Sequence, residues 1–101
     1  MRSIEYTAQY KRDLKRVKKR GKPLAKLVKV MTYLKNEERL PRNLKDHALK
    51  GEFIGCRECH LEPDGLLVYE LIEKEKVVLF IRTGTHADLF KQIVFSNKTK
   101  V

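Results

Sequence analysis

The groups in this chain that can do chemistry near neutral pH are three histidines, His47, His60 and His86, and two carboxylates close to one of them in sequence, Glu58 and Asp64. Imidazoles titrate near pH 7, so one can accept a proton while another, protonated, gives one up. Three in a small chain therefore point first to general acid–base catalysis. Two cysteines offer a competing chemistry, because Cys56-x-x-Cys59-His60 matches the attachment spacing of c-type haem.

The local pattern argues against the cysteine chemistry. From Cys56 the apolar residues alternate as in a strand, placing Cys56, Glu58 and His60 on one face and Arg57, Cys59 and Leu61 on the other. Covalent haem needs an oxidising compartment and a largely helical wrapping, which a β-rich segment lacks. Zinc held by Cys56, Cys59, His47 and His86 would need both sulfurs on one side, and positions i and i+3 of a strand point apart. A redox pair would want a helix N-terminus beside the thiols. Cys59 is thus expected in the core, and no metal or cofactor is expected.

Glu58 and His60 remain on the opposite face, followed by Asp64 in Glu62-Pro63-Asp64-Gly65, a sequence suited to a tight turn. Alone, Asp64 would be a turn former, His47 a solvated loop residue and His86 part of a helix cap. Together they can converge on one edge of a sheet as a metal-independent acid–base site. Arg82, near the end of the last strand, could offset charge on a phosphate, and Phe90 could stack a nucleobase.

Ile4 and Tyr6 share a face of a short first strand, and Thr7 can cap a helix with Tyr10, Leu14 and Val17 along its apolar stripe. Gly21 and Pro23 separate it from a second helix, with Leu24, Leu27, Val28, Met31 and Leu34 expected inward. Pro41 ends that pattern. Residues 40–50 show no periodicity and read as a long connection carrying Lys45, His47 and Lys50. Strands follow from Cys56, over 66–72 and over 77–83, joined by the 62–65 turn and by Glu73-Lys74-Glu75-Lys76. Gly84 breaks the last strand, and Thr85 can cap a helical turn carrying His86, Leu89 and Phe90. Residues 92–95 could form an edge strand before a polar end. The expected fold is α+β in the order β-α-α-β-β-β, a mainly antiparallel sheet with two helices on one face.

A chain of 101 residues has room for one domain, here 1–101 with 91–101 as an extension. Its formal charge is +10, and the first 50 residues carry 16 basic against 5 acidic side chains. Such a field draws polyanions: nucleic acid, a ribosome or an acidic protein. The N-terminus has no apolar stretch suited to a signal peptide, and no run approaches the roughly 20 residues of a membrane span. Cytoplasmic localisation is expected. RNA suits the site best, since its 2′-OH is a built-in nucleophile.

Leu44-Lys45-Asp46-His47-Ala48-Leu49-Lys50-Gly51, Arg57-Glu58-Cys59-His60-Leu61-Glu62-Pro63-Asp64 and Arg82-Thr83-Gly84-Thr85-His86-Ala87-Asp88-Leu89-Phe90 together resemble the successive signature blocks of YafQ-type toxins, in the RelE/ParE superfamily of bacterial type II toxin–antitoxin systems. The similarity spans about Ile4 to Phe90. It implies a small RelE-like sheet with two helices on one face, and a ribosome-dependent mRNA endonuclease acting in the A site under control of an antitoxin. It also implies catalytic positions at His47, His60, Asp64 and His86 and phosphate and base contacts at Arg82 and Phe90; Glu58, Lys45 and Lys50 are expected to contact the RNA as well. The family's usual Asp is Glu58 here. Two alternatives stand beside this reading: a basic module that binds an acidic antitoxin or nucleic acid without cutting, and a gyrase-directed relative.

Overall fold

The computed structural model describes residues 1–89, so Phe90 and the 91–101 extension lie outside the described residues. β1 (Ser3–Tyr6) leads into α1 (Ala8–Lys19) and α2 (Ala25–Lys35); β2 (His47–Ala48), β3 (Arg57–Glu62), β4 (Gly65–Ile72) and β5 (Val77–Gly84) complete a five-stranded sheet in the order β1-β5-β4-β3-β2. β1 pairs parallel with β5, and the other three pairings are antiparallel. No helix among the described residues is long and apolar enough to cross a membrane.

Local chemistry explains the helical layer. The Thr7 hydroxyl accepts the Tyr10 backbone N–H at 2.9 Å and donates to the Ile81 carbonyl at 2.8 Å, so the cap also ties α1 to β5. Gly21, with φ of +73°, makes the left-handed exit from α1. The inward line of α2 is Leu27, Val30 and Leu34, spaced i, i+3, i+7. Val28, expected inside, is 57% exposed, because it sits one helical step beyond Leu27 and rotates off that line. These side chains pack with Tyr10 against Cys59, Leu67, Tyr69, Val78 and Phe80 on one sheet face.

The opposite face carries a smaller cluster of Leu66, Val68 and Leu89, flanked by Phe53, Cys56 and Ile81. Cys59 and Cys56 thus belong to opposite faces, as the strand period predicts. Burial pushes the Cys59 thiol up to about 12, which keeps it protonated and inert. The 40–50 connection departs from expectation. It holds a 3₁₀ turn, Arg42–Leu44, and the edge strand β2, whose two residues are too few to show a two-fold pattern.

Candidate active site

Strand register brings His47 and Glu58 together. They are direct partners across β2 and β3, and His60 follows two residues on along the same face of β3. The His47 ring nitrogen Nδ1 lies 2.7 Å from the Lys45 carbonyl, which can only accept, so Nδ1 carries a proton. Lys45 adopts a left-handed conformation, φ +51°, that ends the 3₁₀ turn just before this contact. The approach is anchored by Asp46, which accepts two bonds from Arg57 at 3.1 and 2.9 Å and a short one from the Tyr69 hydroxyl.

Glu58 lies beneath the imidazoles, only 5% exposed. Its Oε1 is 3.3 Å from His47 Nε2 and 3.9 Å from His60 Nε2, and its Oε2 is buried with no hydrogen-bond partner. Glu58, expected to contact RNA, keeps its carboxylate buried under the two rings. Its carboxylate braces two histidines. His47, Glu58 and His60 could also hold a metal ion, their ligand atoms all lying within 4.8 Å of one another.

The third imidazole arrives from the turn that follows β5. Ring centroids run His47 to His60 at 5.9 Å and His60 to His86 at 6.0 Å, so the three rings form a row. At its far end Asp64 Oδ1 takes the His86 ring Nδ1 at 2.8 Å and the His86 backbone N–H at 3.1 Å. The ring bond first, then the backbone bond, hold the Asp64 carboxyl below its usual range. An ionised Asp64 fixes the proton of His86 on Nδ1 and leaves proton transfer to Nε2.

The turn carrying His86 is a reciprocal cap. The Thr85 N–H donates to Asp88 Oδ2 at 3.0 Å, the Asp88 N–H donates to Thr85 Oγ1 at 3.1 Å, and Arg20, the residue that caps the C-terminal end of α1, clasps Asp88 at 2.6 and 3.1 Å. Gly84 has φ of +147°, and a Cβ there would lie 2.8 Å from Asp88 Oδ2. The Arg20 bond is the largest effect holding the Asp88 carboxyl far below its usual range, with Thr85 adding to it. A depressed carboxylate contributes stability above the unfolded value, about pH 4, and loses it as pH falls toward the native one. Asp88→Asn is therefore expected to lower the unfolding midpoint at neutral pH. The gap to the parent should close in thermal scans taken at progressively lower pH below about 4; a gap unchanged with pH would contradict the ion pair's role.

Arg82 is not part of the row. A bulge leaves Ile81 unpaired between Phe80 and Arg82, and Arg82 donates Nε and Nη2 to Asp13 of α1 at 2.8 and 3.2 Å. Lys45 and Lys50 are exposed on either side of β2. Sequence reading missed Asp13, Asp46 and the Arg20–Asp88 pair; only Thr85-x-x-Asp88 carries a local signal, that of a capping box.

A family model described as the bacterial toxin of type II toxin–antitoxin systems, YafQ, matches residues 2–91. The chain belongs to the YafQ toxin family. Among its relatives, the mRNA interferase toxin YafQ of Escherichia coli strain K12 is 48% identical over 90 residues, covering 88% of this chain and 96% of that protein. The crystal structure of the E. coli DinJ–YafQ toxin–antitoxin complex aligns at TM-score 0.79 and 48% identity over 88% of this chain and 97% of the other. A metal-bound toxin from Helicobacter pylori aligns at TM-score 0.83 and 42% identity over 89% and 100%. The YafQ fold thus accounts for the β-α-α-β-β-β-β order of this chain.

Proposed function

We propose that this chain is a ribosome-dependent mRNA endonuclease that cuts in the ribosomal A site and is silenced by a cognate antitoxin protein. The observation that carries the reading is the row of three imidazoles, braced by Glu58 at one end and by Asp64 at the other. The RNA 2′-OH attacks its own phosphorus. The new O2′–P bond forms as the P–O5′ bond breaks, leaving a 2′,3′-cyclic phosphate and a 5′-OH. His60, between the other two rings, takes the 2′-OH proton. His86 Nε2 delivers a proton to the departing O5′, and Asp64 stabilises the ring through Nδ1. Both nitrogens of His47 face oxygen atoms of the protein, so it serves as the orienting member beside Lys45. Arg82 works through Asp13, by holding the end of β5.

His47, Glu58 and His60 suit a borderline transition metal such as zinc or copper, and the orphaned Glu58 Oε2 is an atom such an ion would satisfy. When bound there it would supply a positive charge near the phosphate, but it would also take the lone pair that His60 needs as a base. The acid–base set is complete without it. The test is to add the purified chain to translating ribosomes and map mRNA ends, with and without a chelator selective for transition metals. Expected are new A-site 5′-OH ends matched by cyclic phosphates, formed equally in both arms and fewer when copper or zinc is added. Absence of new ends would sink the endonuclease reading, and loss of them on chelation its metal independence.

A further inference from the structure

The row of imidazoles can engage one phosphodiester, and the strand that carries it must leave the row in two directions. On the His60 side the surface opens into a groove between α2 and the segment preceding β2. Lys26, Lys29 and Tyr33 line one wall at i, i+3 and i+7, a single ridge of α2, while Asn43 and Lys45 line the other. His60 borders it where β3, past its two-residue pairing with β2, becomes the edge of the sheet. The space of about 700 Å³ is open to solvent rather than closed over, which suits a length of polymer better than an enclosed small molecule.

Charge selects the polymer. Lys26, Lys29 and Lys45 are exposed, and none joins an ion pair among the described residues. Among the described residues Glu62 is the one carboxylate lining the groove, against those three ammonium groups. The half-buried Tyr33 adds an aromatic ring, the usual platform for an unstacked base. An acidic peptide would use the cations but has no need of the ring or of continuity with His60.

We propose that this groove seats the RNA on the 5′ side of the cleaved bond, with phosphates against Lys26 and Lys29 and a base on Tyr33. The inference rests on the endonuclease reading, which supplies the polarity. His60 meets the nucleotide that provides the 2′-OH and His86 meets the one that leaves, so the strand passing His60 into the groove is the upstream one.

The test places a benzoylphenylalanine photo-crosslinker at position 33 and programs ribosomes with an mRNA carrying a 2′-deoxy sugar at the attacking nucleotide, which halts turnover. Cross-links are expected on the nucleotides just 5′ of the scissile bond. Cross-links on the 3′ side, on ribosomal RNA or on the antitoxin alone, or none, overturn the proposal. In parallel, Lys26→Ala with Lys29→Ala is expected to raise KM about tenfold with kcat unchanged. The slope of log kcat/KM against log salt should flatten by about 1.4, at about 0.7 per phosphate contact in a single strand. An unchanged KM, or a fall confined to kcat, overturns it. If the parent chain cuts the all-ribose mRNA normally while position 33 stays silent, the groove fails alone. If the parent cuts nothing, the endonuclease reading fails and the polarity falls with it.

Discussion

His86→Gln is expected to lower the rate of mRNA cleavage by about 10²–10⁴-fold, the usual worth of a positioned proton donor, while leaving the unfolding midpoint unchanged. Glutamine fills similar space and can still meet Asp64, but it cannot deliver a proton to the leaving O5′. The His86 side chain is 52% exposed, so little packing is lost. The loss should fall on kcat with KM nearly constant, because donation to the leaving oxygen happens only in the transition state. Asp64→Asn should cost less, since an amide oxygen can still accept from Nδ1 and only the charge is missing. Single-turnover cleavage on programmed ribosomes measures both. Equal rates for His86→Gln and the parent would remove His86 from the mechanism, and a change in KM alone would make it a binding residue.

What could be read from the sequence was whatever a local period determines. Alternation from Cys56 sent Cys59 inward and turned Glu58 and His60 to the other face, and Gly21 and Thr7 marked helix boundaries. Convergence of His47 and His86 on His60 depends on pairing across residues 47 to 86, which a local pattern can permit but not impose. His47 gave no strand signal because β2 is two residues long and its position is held from outside, by Arg57 and Tyr69 on Asp46. Arg82 shows the same limit from another side. Its place near the end of a strand beside Gly84 suggested a phosphate contact, but the acid that engages it lies 69 residues earlier.

That acid carries the second large expected effect. Asp13 is fully buried on a helix otherwise crowded with cations, and its two oxygens accept from Gln9 at 3.0 Å, Arg16 at 2.9 Å, Arg82 at 2.8 and 3.2 Å and the Thr83 backbone N–H at 3.1 Å. Asp13→Ala would strand the Arg82 guanidinium, 16% exposed, together with a buried N–H. Breaking a buried pair from one side costs about 3–5 kcal/mol, a large share of the roughly 5–15 kcal/mol that holds a domain together. The unfolding midpoint should drop by about 15 °C or more. Replacing both partners, Asp13→Leu with Arg82→Met, leaves no orphan charge and should recover part of the loss relative to Asp13→Leu alone. The same cycle separates two roles for Arg82. If it mainly held a phosphate, Arg82→Met would depress kcat and spare stability. Here it is expected to lower the unfolding midpoint, with kcat per folded molecule reduced only as far as the end of β5, Thr83 and Gly84 just before His86, loosens.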